Sequence, residues 1–143
     1  MGIFAMILCF VLCQGNLGLC QGAEIDLNAL SWAESRNQDV CSPAMDCGRW
    51  QITAAVVDHY CRMSGVCYRL KDMLQPQTGR EVAGWYANVR VPQLLKHYGI
   101  ADTTQNRIWA WNAGIGSVLK GQIPSTTRQL LRRYLDALGG TRI

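Results

Sequence analysis

A single, mainly α domain behind a short apolar leader is what this sequence predicts, and three observations carry that expectation. Apolar residues recur at three- and four-residue spacing from Leu27 to Leu138, with no sustained alternation at period two. Capping and stop residues punctuate the same stretch at helical lengths. The 24 charged side chains all fall in residues 23–143, which sets residues 1–22 apart. A chain of 143 residues suits one domain. With 49% hydrophobic and 17% charged residues it has the makings of a packed core, not of a disordered tail.

The leader comes first. Ile3 to Leu12 are ten consecutive apolar residues, too few for a spanning helix, which needs ~20, but right for the apolar part of an export signal. Gly15, Gly18 and Gly22 break the run, and cleavage after Gly22 puts the small residues Cys20 and Gly22 where a signal peptidase reads. No Lys or Arg precedes the run, so a buried N-terminal helix or an uncleaved anchor stays open as an alternative. Leu19 is too large for the residue before a lipidated cysteine. The sequence thus divides into a signal peptide, 1–22, and an exported domain, 23–143, periplasmic or extracellular.

Losing the leader removes Cys9, Cys13 and Cys20 and leaves Cys41, Cys47, Cys61 and Cys67. An even four in an exported domain reads as two disulfides. Both successive pairs are spaced C-x5-C, which favours Cys41–Cys47 and Cys61–Cys67 among the three possible connectivities. A four-cysteine zinc site is the rival, but it usually uses closer pairs. No metal or cofactor is expected.

The helices follow in order. Asp26 is an N-cap, after which Leu27, Leu30 and Glu34 share one face. Ile52, Ala55, Val56, His59, Tyr60 and Met63 make an amphipathic stripe that Gly65 stops. Thr78 and Glu81 have the spacing of a capping box, opening a helix with the stripe Val82, Trp85, Tyr86 and Val89. Pro92 interrupts it, and Leu94, Leu95 and Tyr98 continue the pattern to Gly99. A helix over 104–113 ends at Gly114 and Gly116. The last starts after Pro124 and Ser125, carries Leu130, Leu131, Tyr134, Leu135 and Leu138, and stops at Gly139-Gly140.

The carboxylates narrow the chemistry. Of the three glutamates, Glu24 lies at the mature N-terminus and Glu81 is accounted for by its capping box. Glu34 falls on the apolar face with Leu27 and Leu30, where desolvation raises a carboxyl pKa and keeps the proton a general acid needs. The plainer alternative is a glutamate at the edge of that face, paired with Arg36.

Its surroundings add to this. Ser31-Trp32-Ala33-Glu34-Ser35-Arg36, Gly48-Arg49-Trp50-Gln51-Ile52-Thr53 and Ala110-Trp111-Asn112-Ala113-Gly114-Ile115-Gly116 occur in that order, followed by Pro124 with Thr127 and Arg128. Together they resemble the catalytic domain of the soluble lytic transglycosylases, of the lysozyme-like superfamily. The matching family segments are its Glu-Ser pair, Gly-Leu-Met-Gln-Ile, Ala-Tyr-Asn-Ala-Gly and Pro-x-x-Thr-Arg. The likeness spans about residues 26–136.

The resemblance implies a lysozyme-like helical domain that cleaves the β-1,4 bond between N-acetylmuramic acid and N-acetylglucosamine in peptidoglycan. Glu34 aligns with the single catalytic acid, protonating the glycosidic oxygen and then acting as base while the muramoyl C6 hydroxyl attacks C1. The product is a 1,6-anhydro end. By the same alignment Ser35 positions the scissile region, and Gln51 and Asn112 hydrogen-bond the sugar. Gly48 and Gly114 let backbone approach the glycan, and Trp50 and Trp111 are cleft candidates. The family's tyrosine after Thr-Arg, which helps hold the catalytic carboxyl, is replaced by Leu130-Leu131, with Tyr134 one turn later. Small single-domain members serve wall-spanning secretion, conjugation or pilus assemblies, or act as phage enzymes.

Two alternatives remain at this level. Asp46, in the cysteine-bracketed loop with Asp39, could be a second carboxylate and make the protein a hydrolase (a muramidase). The missing tyrosine suggests a non-catalytic peptidoglycan-binding relative. Other chemistries fall away. His59 lies in a helical stripe and reads as core, and neither H-E-x-x-H nor G-x-S-x-G occurs. The formal charge of +4 is too thinly spread for nucleic-acid binding. A monomer acting on glycan strands is expected.

Overall fold

The computed structural model describes residues 22–139, so the leader assigned to 1–22 lies outside the described residues but for Gly22, as does Gly140 of the final stop. The described residues form one mainly α domain. Their β pairing is limited to isolated bridges from Cys47 to Cys41 and to Ile52. None of the described helices is long and apolar enough to cross a membrane.

Helix α1 (Leu27–Ser35) starts where Asp26 caps it, the carboxylate accepting the N–H groups of Asn28 and Ala29 at 2.8 and 2.9 Å. The preceding strap is pinned by Asn88, whose side-chain amide accepts from the Ile25 N–H and donates to its carbonyl. Helix α2 (Ala54–Ser64) is capped by Thr53 and closed by Gly65 at φ 77°. Its stripe is turned from the expected one. Val57 and Tyr60 enter the core, Met63 is 58% exposed, and Ala55, Val56 and His59 border a cleft instead.

Two expectations for the next segment are corrected. Thr78 and Glu81 do not form a capping box: α3 (Pro76–Trp85) starts earlier, with Pro76 in its first turn and Gln75 as cap. Proline there gives up no hydrogen bond and is preorganised for the helix, so it sets the boundary. Glu81 accepts the hydroxyls of Tyr60 and Tyr68. Nor does Pro92 interrupt the helix. A π-helical turn, Tyr86–Arg90, runs straight into α4 (Val91–His97), with the Val91 N–H reaching back five residues to the Tyr86 carbonyl. The wider turn leads into a first α4 turn that holds Pro92, so the chain stays helical through the proline.

Helix α5 (Thr104–Ala113) matches its expected span, with Thr103 as cap. Nearly buried Arg107 grips Asp102 just ahead of it through two hydrogen bonds of 2.6 and 2.8 Å. Gly114, at φ 81°, ends α5 but only redirects the chain. A short helix α6 (Ile115–Lys120), not foreseen from the two glycines, begins at once. Helix α7 (Ser125–Gly139) buries Thr127, Leu130, Leu131 and Tyr134 and packs along α1 and α5.

Leu30, Ile52, Met73, Val82, Ile108 and Leu130 centre the core, each side chain contributing about 1.5–3 kcal/mol on burial. A smaller cluster of Val91, Leu95 and Ala110 ties α4 to α5. The four cysteines pair as Cys41–Cys47 and Cys61–Cys67, which displaces the zinc alternative and fits an oxidising environment.

Candidate active site

The site grows from the C-terminal end of α1. Arg36 and Asn37 take left-handed backbone, φ 58° and 63°, and turn the chain into a loop stapled by Cys41–Cys47. Arg49 and Asp39 pair across it at 2.6 Å, which occupies Asp39. Ser35 donates its hydroxyl to the Arg49 carbonyl at 2.8 Å and accepts the Gln38 N–H at 3.0 Å, holding the loop against the helix end.

Two motif residues of this loop serve packing. Gly48 sits at φ 77°, and a Cβ there would lie 2.1 Å from the Met73 carbonyl oxygen, so close backbone approach demands glycine. Trp50 is 3% exposed and donates its indole N–H to the Leu27 carbonyl at 2.7 Å. Gln51 also has positive φ, 51°, and its side-chain amide donates to the carbonyls of Gly48 and Val40. That strained backbone is held by the hydrogen bonds around it, a pattern found where a loop shapes a site.

The result is a cleft of about 360 Å³ bordered by Glu34, Asp46, Gln51, His59, Tyr86 and Trp111. Ile52, Ala55 and Val56 line it from the α2 side, and Asn112 and Gly114 from the end of α5. Asn112 is steadied by Thr127, whose hydroxyl donates to its side-chain oxygen at 2.6 Å.

Glu34 is the electrostatic centre. Burial, first of all, raises its pKa to about 7. The Trp111 indole N–H, donating to Oε1 at 2.8 Å, opposes the rise, as does the cation of Arg133. Asp46 pushes the pKa further up by repulsion, and Asn112 pulls slightly down. The position at the carbonyl end of α1 also disfavours negative charge. A carboxyl balanced near neutrality can give up a proton and take one back.

The alternative pairing of Glu34 with Arg36 is not what forms. Arg36 stacks over the Trp32 ring at 3.7 Å, while Trp111 holds the carboxyl. Tyr134 does not hold the Glu34 carboxyl either. Its hydroxyl accepts the Asp26 N–H at 2.9 Å, and Leu130 is buried in the core. Trp111 supplies the hydrogen bond instead.

Of the sequence-predicted residues, Glu34, Gln51, Trp111, Asn112 and Gly114 meet at the cleft. Ser35, Gly48 and Trp50 lie in the framework behind it. Sequence reasoning passed over His59 and Tyr86 as helix-stripe residues. It also passed over Arg133, whose guanidinium donates to the Ala33 carbonyl at 2.8 Å and acts on Glu34 by its charge. No local pattern marks Arg133, since its partner is 100 residues away in the chain. Comparisons with family models, with curated proteins and with solved structures returned no match to this chain.

Proposed function

We propose that the protein is an exported, lysozyme-like lytic transglycosylase acting on peptidoglycan glycan strands, with Glu34 as its catalytic acid and base. The observation that carries this is the Glu34 carboxyl: set in a cleft, raised to about 7 by burial, and held by one indole N–H. Protonated, it can deliver its proton to the glycosidic oxygen between N-acetylmuramic acid and N-acetylglucosamine as that bond breaks. The substrate's own N-acetyl group stabilises the cationic C1. The carboxylate left behind then takes the proton of the C6 hydroxyl as that oxygen bonds to C1, closing a 1,6-anhydro ring and restoring the acid. Trp111 supports both states, donating to the carboxylate while keeping the carboxyl aimed.

Asp46 favours a second reading. It borders the same cleft and acts on Glu34 electrostatically, so it is the group that would activate a water if the protein were a muramidase. Product chemistry separates the two. Peptidoglycan treated with the protein should yield anhydro-muropeptides by mass spectrometry, and Glu34→Gln should abolish them. Reducing muramic ends that vanish in Asp46→Asn would establish the hydrolase. Binding with no product from the wild type would leave a non-catalytic glycan-binding protein.

A further inference from the structure

Several polar groups at the cleft are already committed within the protein. Trp111 donates to Glu34, the Gln51 amide to two loop carbonyls, Thr53 accepts at the cap of α2, and the Asn112 oxygen accepts from Thr127. The imidazole of His59 is not. It borders the cleft one turn beyond Ala55 on α2, and among the described residues no hydrogen bond engages either ring nitrogen. The ring packs against Trp85 in a T-shaped contact, 5.4 Å between centroids at 78°.

Trp85 in turn lies 6.1 Å from Tyr86, and Tyr86 lies 5.7 Å from Trp111. An unbroken run of aromatic contacts therefore leads from the partner of Glu34 to His59. Aromatic faces beside an uncommitted donor and acceptor are what a sugar ring needs, since its faces are apolar and its rim is polar. Burial, then Arg90 and Arg62, hold the His59 pKa below its usual value. The neutral ring presents one N–H and one lone pair at neutral pH, suiting a hydroxyl or an acetamido group.

We propose that His59, packed against Trp85 and sharing the cleft with Tyr86, binds an N-acetylhexosamine ring of the glycan by hydrogen bonds from its imidazole, three aromatic contacts away from Trp111. This rests on the glycan-cleaving role proposed for Glu34. Calorimetric titration of N-acetylchitotetraose into the full-chain Glu34→Gln protein tests binding apart from turnover. Wild-type kinetics on glycan strands test it under turnover.

Adding His59→Ala should weaken tetrasaccharide binding about tenfold, the scale of one or two neutral hydrogen bonds. In the wild-type background it should raise KM by a similar factor and change kcat less than twofold. His59→Gln, which keeps a donor and an acceptor, should recover most of both and decides the matter if the alanine variant loses its fold. Unchanged binding in both variants, no binding by the Glu34→Gln protein, or a fall in kcat at constant KM would overturn the assignment. If tetrasaccharide binding depends on His59 while the wild type makes no product, the subsite stands and the catalytic role of Glu34 falls. If product forms and His59→Ala binds as tightly as before, the reverse holds.

Discussion

Replacing Glu34 with glutamine removes a carboxyl whose ionisation the fold resists while leaving an oxygen for the Trp111 N–H to bind. In the folded protein this group titrates at about 7, against 4.5 for an unconstrained glutamate. At 1.36 kcal/mol per pH unit, that difference makes ionisation inside the fold cost about 3 kcal/mol more than in the unfolded chain. The sign follows from proton uptake. Between pH 4.5 and 7 the folded state binds the proton and the unfolded state has lost it, so stability falls as pH rises through that window. Below it the stabilisation is fully present, and above it the loss is complete.

Glutamine does not titrate, so the variant escapes this loss. Its stability relative to wild type should rise by about 3 kcal/mol on going from pH 4 to pH 8. With a melting entropy of about 0.25 kcal/mol/K for a domain of this size, that is roughly 10 °C in relative Tm. Thermal melts of both proteins at half-unit pH steps measure it directly, because groups common to the two cancel in the difference. A difference that is flat across pH, or that moves against the variant as pH rises, would refute the burial argument for Glu34. Asp46→Asn removes a repulsion and should shift the inflection to lower pH.

Other consequences can be checked separately. Trp111→Phe deletes the donor that favours the carboxylate, so the alkaline limb of the pH–rate profile for glycan cleavage should move to higher pH, with kcat down about tenfold. Gly48→Ala drives a Cβ into the Met73 carbonyl and should cost at least ~3 kcal/mol in urea denaturation. Gly65→Ala, also at positive φ but with open space around it, should cost only ~1 kcal/mol. Each disulfide closes a short loop and should be worth about 2 kcal/mol. Serine replacement of Cys41 and Cys47 should also abolish cleavage, since that loop carries Asp46 and Gln51 into the cleft. Replacement of Cys61 and Cys67 should lower Tm and spare activity.

Helix starts with a local signal were legible in the sequence. Asp26 heads α1, and the stripe of Leu130, Leu131 and Tyr134 on α7 is buried as its period implied. Errors arose where two local signals competed. Thr78 and Glu81 have capping-box spacing, but Pro76 two residues earlier set the boundary. Pro92 reads as a break, and a π turn, which leaves no composition mark, accommodated it. On α2 a single apolar stripe served two ends, core at Tyr60 and cleft at Val56 and His59, which periodicity cannot separate.

Glu34 was legible for a different reason: a carboxylate on an apolar face with no capping role needs explaining. Motif company then drew in Trp111 and Asn112, which border the cleft, but it drew in Trp50 and Gly48 as well. Residues within a motif can be kept for packing as readily as for contact with a ligand, and here the burial of Trp50 and the Met73 carbonyl above Gly48 show which.

The tie from Arg133 to the Ala33 carbonyl, with that from Thr127 to Asn112, has a consequence in time. Both donors lie on α7, the last of the described helices to be synthesised and a principal neighbour of α1. A nascent chain that has reached only Lys120 holds Glu34, Trp111 and the stapled loop, yet lacks the helix whose side chains hold the Ala33 carbonyl and the Asn112 side chain. The cleft is therefore completed last, and a chain arrested or clipped before Ser125 should emerge inert.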